Sequence, residues 1–259
     1  MRKPRTNRGE TRAEISRILK KVSFSQTAVA LCEEEANAVN ERFLLRVLEA
    51  EMANREETRR ARLLREAAFP VYKTLDKYES GTVTLPPSLG RKELESCSFV
   101  TGKKNLVLYG PVGTGKTHLA IALGVRSCEL GLRVKFFTAA QLVVLLSEAY
   151  AAGTLEKFLK SILRAELLII DEWGYVPVSR EGAQLLFRII SDCYEQRSLI
   201  LTTNLEFSRW GTIVTDDQMA AAMIDRLAHH GYILIFEGES YRMKHALMRQ
   251  KNQAKVPTT

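Results

Sequence analysis

The chain has 259 residues, 46% of them apolar and 26% charged, the balance of a globular protein with a substantial core. Those fractions exclude a wholly disordered, collagen-like or disulfide-scaffold chain. The longest apolar runs, such as 219–224, fall far short of the ~20 residues a membrane span requires. Net charge is +8, of which residues 1–104 carry +6 and residues 105–259 carry +2, an asymmetry that points to a polyanionic partner, most simply nucleic acid. No apolar h-region follows the basic start, so the expected location is cytoplasmic, with no membrane partner. Cys32, Cys97, Cys128 and Cys193 lie far apart, with no CxxC pair and no clustered histidines, a pattern of reduced structural thiols rather than of a zinc site.

Residues 1–12 (MRKPRTNRGETR) lack periodicity and read as a flexible basic arm. From Ala28 to about Ala68 there is no Gly or Pro, and Phe43, Leu44, Val47, Leu48 and Met52 recur at helical spacing. Arg55, Arg59, Arg60, Arg62 and Arg65 then crowd one stretch, with Glu56, Glu57 and Glu66 among them. They make either a solvated face laced with ion pairs or a track for a phosphate backbone. Pro70, Gly81, Pro86, Pro87 and Gly90 break the helical pattern, which makes 69–104 a linker or adaptor segment.

After Asn105 short β-type runs at 105–109, 133–138, 167–171, 198–203 and 232–236 alternate with helical stretches at 116–130, 139–151, 155–164, 181–196 and 217–229. This alternation predicts an α/β fold, a five-stranded parallel sheet with helices on both faces.

Three motifs fall at the ends of those strands. Residues 110–117, GPVGTGKT, fit the phosphate loop G-x-x-x-x-G-K-T. Gly110, Gly113 and Gly115 permit backbone conformations that turn successive N–H groups toward phosphate oxygens, and the following helix adds its positive end. Lys116 reaches the β- and γ-phosphates and Thr117 ligates Mg²⁺. Pro111, Val112, Thr114 and, on the first helical turn, His118 complete the expected ATP-contacting set. The run LLIIDEWG at 167–174 ends an apolar strand in an acidic pair: Asp171 orients Mg²⁺, and Glu172 polarises the attacking water as general base. LILTTN places Asn204 at a third strand's C-terminal edge, where it positions that water or contacts the γ-phosphate. His229 and His230 cap a helix, and Trp173 and Tyr175 pack at a strand exit.

Together these motifs resemble an AAA+ ATPase core. More narrowly, GPVGTGKTHLAIALG (110–124), LLIIDEWGYVPVS (167–179), LILTTNLEFSRWG (199–211) and IDRLAHHGYILIFEGESYRMK (224–244), with NERFLLRVLEAEMANREETRRARLLREAAFP (40–70) upstream, resemble the IstB family, partners of the IstA transposase and similar to the DnaC helicase loader. The resemblance covers approximately residues 25–250. It implies three parts: a basic helical N-terminal region for DNA binding and oligomerisation (1–68), the adaptor (69–104), and a P-loop AAA+ ATPase domain with a small or absent lid (105–259). It also implies that Arg226 is an arginine finger acting on a neighbouring subunit's nucleotide and that Arg242 is a sensor of the γ-phosphate. The expected protein is therefore a Mg²⁺-dependent ATPase that assembles as a homo-oligomer on double-stranded DNA and regulates an IstA-type transposase. A DnaC-like helicase loader, a phosphate-loop kinase and a DNA-bending protein with a vestigial ATPase are the alternatives.

Overall fold

The structure is a computed structural model that describes residues 8–78, 83–175, 178–241 and 243–244. Its contacts divide the chain between Ala61 and Arg62 into two units.

The first unit is helical: α1 (Arg8–Lys21), α2 (Gln26–Glu35) and most of α3 (Ala38–Ala67). Ser25 Oγ accepts from Ala28 N at 3.2 Å and starts α2. Asn37 Oδ1 accepts from Val39 N and Asn40 N at 2.9 and 3.0 Å and starts α3. A small core of Ile15, Ile18, Leu19, Val29 and Leu48 holds the helices together. Beside it Glu41, only 2% exposed, takes ion pairs from Arg12 at 2.5 Å and Arg8 at 3.1 Å. These pairs correct the expectation of a flexible arm through residue 12: residues 8–12 open α1, tied to a carboxylate about thirty positions away. Residues 1–7 lie outside the described residues.

The second unit carries β1 (Val83–Thr84), α4 (Arg91–Glu95), α5 (Ser98–Thr101), β2 (Asn105–Tyr109), α6 (Lys116–Glu129), β3 (Val134–Thr138), α7 (Ala139–Ala151), α8 (Leu155–Ile162), β4 (Leu167–Trp173), α9 (Arg180–Cys193), β5 (Ser198–Thr203), α10 (Gly211–Val214), α11 (Asp217–His229) and β6 (Gly231–Phe236). Strand order is β1-β6-β2-β5-β4-β3. β2 to β6 are the five parallel strands expected. A sixth, β1, pairs antiparallel with β6 at the edge, and at two residues it is too short to leave a periodic signal.

Alternate residues of the central strands feed two cores. Leu106, Leu108, Leu167 and Ile169 pack with α6 on one face; Val107, Leu168, Ile170, Leu199 and Leu201 pack with α7, α9 and α11 on the other. Leu63 and Ala67, from the last turns of α3, lie in the first of these cores. Phe69 joins it edge-on to Phe136 and fills the space over Gly124, where a Cβ would come within 2.7 Å of its ring. The adaptor contributes Leu89, Leu94, Cys97, Phe99 and Val100 to the same core. All four cysteines are free; Cys97, Cys128 and Cys193 are buried and Cys32, on α2, is half-buried. Burial pushes the Cys128 and Cys193 thiols up to about 12. Among the described residues no helix is long and apolar enough to cross a membrane.

Candidate nucleotide site

The phosphate loop turns from β2 into α6 through three glycines in the left-handed region: Gly110 (φ 149°), Gly113 (φ 84°) and Gly115 (φ 97°). Two of them are also required sterically. A Cβ on Gly110 would lie 2.2 Å from Phe236 O, and one on Gly113 would lie 2.1 Å from Ser240 Oγ. Tyr241 N donates to Gly113 O at 3.0 Å, so the segment after β6 lies across the loop. Thr114 Oγ1 donates to Pro111 O at 2.8 Å and closes the turn, while Pro111 and Val112 are exposed at its tip. Lys116 is buried, and its Nζ donates to Gly110 O and Pro111 O at 2.7 and 2.6 Å. The ammonium is thus held inside the curve of its own loop, at the N-terminus of a 14-residue helix, an arrangement suited to a polyphosphate.

The acidic strand is joined to the loop by one carboxylate oxygen. Asp171 is 4% exposed. Its Oδ1 accepts from Thr117 Oγ1 at 2.9 Å and from Thr202 Oγ1 at 2.5 Å. Among the described residues no Lys or Arg pairs with it, and its second oxygen takes no hydrogen bond. A buried carboxylate met by hydroxyls alone is a fitting ligand environment for a hard cation, so Thr117 and Asp171 are the residues that would hold Mg²⁺.

Glu172 follows at a break in the ladder. Ile170 pairs with Leu201, and the next partners are Trp173 and Thr203, so β4 carries one residue more than β5 across this step. This is a β-bulge. Glu172 is the extra residue: it is exposed, at φ 61°, a region a non-glycine residue rarely occupies. Its N–H donates to Thr202 Oγ1 at 3.0 Å. The bulge resets the alternation, so that Asp171 meets α6, Trp173 enters the opposite core, and Glu172 is exposed at the C-terminal edge of the sheet.

Thr202 and Thr203 did not stand out in the sequence, where LTTN drew attention to its last residue. Thr202 links Asp171 to the backbone of Glu172; Thr203 Oγ1 donates to Trp173 O at 2.9 Å and accepts from Leu205 N at 3.0 Å. A hydroxyl pair ending an otherwise apolar strand was the available signal. Asn204 lies at the edge of β5 as the pattern indicated, exposed and with no side-chain hydrogen bond among the described residues. Asn105 also escaped notice: it is buried, accepts from Leu199 N at 3.0 Å, and donates to Arg226 O and Leu227 O, fixing the end of α11 against β2 and β5.

His118 rests in the adaptor. Its ring lies against Tyr78, with centroids 5.5 Å apart, and its Nε2 is 3.4 Å from Thr74 O. Burial lowers its pKa from the ordinary 6.5, with the Thr74 carbonyl opposing that shift. The Tyr78 hydroxyl is buried without a partner among the described residues and is pushed up to about 12 by loss of solvent.

The other expected residues lie on α11 and α3 or outside the described residues. Arg226, on α11, donates to Ala222 O at 3.0 Å and sits 4.8 Å over the Phe187 ring, with no contact to the phosphate loop of its own chain. Arg55, Arg59, Arg60, Arg62 and Arg65 are exposed along α3. Of these, Arg55, Arg59, Arg60 and Arg62 lie near Glu51, Glu56, Glu56 and Glu66, at 2.6, 4.0, 3.5 and 3.8 Å; such solvated pairs are worth little. Arg242 lies outside the described residues.

Comparison with known proteins agrees with this architecture. An insertion sequence IS21 putative ATP-binding protein from Pseudomonas aeruginosa is 41% identical over 78% of this chain and 76% of its own length. The insertion sequence IS5376 putative ATP-binding protein from Geobacillus stearothermophilus is 39% identical over 82% and 84%. Among solved structures, the replication initiator DnaA bound to AMPPCP and single-stranded DNA superposes with a TM-score of 0.51 at 20% identity, over 71% of this chain and 56% of that one, a likeness of AAA+ fold. The family described as IstB-like ATP binding protein matches residues 18–249, which include α2, α3, the phosphate loop, the acidic bulge and the LTTN strand end. The chain belongs to the IstB-like ATP binding protein family.

Proposed function

We propose that the protein is a Mg²⁺-dependent ATPase that assembles with copies of itself on double-stranded DNA and serves an IstA-type transposase in transposition. The observation that carries this reading is the Thr117–Asp171–Thr202 hydrogen-bonded link, which sets the acidic pair beside the phosphate loop. Gly110–Thr117 hold the triphosphate, with Lys116 exchanging its loop carbonyls for phosphate oxygens, and His118 flanks them. Mg²⁺, held by Thr117 and Asp171, would offset charge on the phosphate oxygens. Glu172 takes a proton from a water whose oxygen bonds to the γ-phosphorus as the bridging bond breaks, leaving ADP with the bridging oxygen. Asn204 orients that water.

Arg226 of a neighbouring copy supplies a second cation opposite Lys116, and Arg242 reads the γ-phosphate. This arrangement ties hydrolysis to assembly. The exposed arginines of α3 contact DNA phosphates, so DNA favours the assembled state. The insertion-sequence relatives favour a transposition role over helicase loading.

The test is light scattering of wild type and Glu172→Gln with duplex DNA, with and without ATP. Large complexes that need both ATP and DNA, and that persist longer in Glu172→Gln as hydrolysis falls by about 10²–10⁴-fold, are expected. A protein that stays monomeric in every condition removes the Arg226 assignment and favours a kinase-like phosphate-loop enzyme.

A further inference from the structure

Behind the three motifs runs a chain of aromatic rings. Tyr109, the residue before the phosphate loop, lies 5.9 Å from Phe207; Phe207 lies 5.4 Å from Trp210; Trp210 lies 5.1 Å from Trp173, the residue after Glu172. Trp210 is fully buried and Trp173 is 1% exposed. Bonds between side chains and backbone close this contact into a circuit. Trp173 O accepts from Thr203 Oγ1, Thr203 Oγ1 accepts from Leu205 N, and Leu205 O accepts from Trp210 Nε1 at 3.4 Å. Gly174, at φ 89°, brings this turn close to Leu205: a Cβ there would lie 3.0 Å from the Leu205 side chain.

The circuit bears on Glu172 through the bulge. In an unbroken strand Trp173 would share a face with Asp171. It is instead buried on the opposite face, which requires the extra residue before it, and that residue is Glu172. The left-handed backbone at Glu172 is strained for a residue that carries a Cβ and persists only where its surroundings over-determine it. Burial of the Trp173 indole against Trp210, with its carbonyl held by Thr203, supplies that determination. The Trp173 N–H has no partner among the described residues, so packing and the carbonyl bond, rather than an indole hydrogen bond, fix the ring.

We infer that Trp173 and Trp210, closed through Thr203 and Leu205, are positioning residues that hold the Glu172 carboxylate in its hydrolytic orientation. This inference rests on the ATPase reading above.

The experiment is a pair of double-mutant cycles: Trp210→Leu and Thr203→Val, each alone and combined with Glu172→Gln. Single-turnover ATP hydrolysis and fluorescent-ATP affinity are measured with Mg²⁺ and duplex DNA present. Each single variant is expected to lower hydrolysis by about tenfold to a hundredfold, as a misplaced catalytic group does, with affinity within about threefold of wild type. In the Glu172→Gln background the same changes should cost less than about twofold, because the group they position is gone. Equal losses in both backgrounds, or no loss in the wild-type background, overturn the inference. If Trp210→Leu loses nucleotide affinity, the Thr203→Val cycle decides alone. Glu172→Gln hydrolysing at the wild-type rate would also overturn the inference, by removing the group that is positioned, whereas a wild type that binds ATP but does not hydrolyse it would sink the ATPase reading itself, so the two failures are distinct.

Discussion

The two units each bury a carboxylate, and they treat it in opposite ways. In the helical unit Glu41 is clamped by Arg8 and Arg12, so its charge is spent on holding α1 against α3. In the nucleotide-binding unit Asp171 is equally buried but is met by the hydroxyls of Thr117 and Thr202, which orient it without neutralising it. A buried charge that its own chain completes is structure; one left with only neutral donors is a place for something else to bind. That difference separates scaffold from site better than burial or residue type.

The sharpest way to break the comparison is Asp171→Asn. The amide oxygen still accepts from both hydroxyls, so the melting temperature should hold within a few degrees of wild type. Mg²⁺-dependent ATP turnover should fall by at least about a hundredfold. A large loss of melting temperature would show that Asp171 is structural in the way Glu41 is.

A smaller effect is expected from α3. Replacing Arg55, Arg59 and Arg62 with Ala should weaken duplex binding and lower the slope of log affinity against log salt by up to about three, while ATP affinity stays the same. Their glutamate neighbours at 2.6 to 4.0 Å are solvated and compete poorly with phosphate. An unchanged salt slope would place these arginines with Arg8 and Arg12, as cations used internally.

The smallest effect concerns Glu41. Hydrogen bonds from Arg8 and then Arg12 hold its carboxyl below the ordinary 4.5. The unfolded chain therefore binds a proton more readily, and the clamp's contribution is complete above the ordinary carboxylate range and lost as pH falls through the lowered value. Glu41→Gln should lower melting of the helical unit at neutral pH and flatten its acid limb. Circular dichroism melts across about pH 3–7 would read both; an acid limb as steep as that of wild type would assign the effect to other carboxylates.

Local signals carried the fold far. Five parallel strands, their order of appearance and the turn from β2 into α6 all follow from periodicity and the glycine spacing, because each is encoded within a dozen neighbouring residues. The place of Asp171 beside the phosphate loop was legible for the same reason. Three features depended on contacts distant in sequence. Thr202 meets Asp171 and Glu172, 31 and 30 positions away on β4, only through strand pairing, and the bulge at Glu172 exists only relative to β5. Residues 8–12 are helical through a carboxylate at position 41. β1 was invisible because two residues show no period, and its place was set by the edge of β6.

The cysteine distribution has a practical consequence. Cys97, Cys128 and Cys193 are sealed inside the nucleotide-binding unit with their thiols pushed upward, where neither oxidants nor alkylating reagents find a thiolate. Cys32 alone, on α2, retains access to solvent. A maleimide dye added to the native protein should therefore mark the helical unit at a single position, giving every copy in an assembly one reporter without any engineered change.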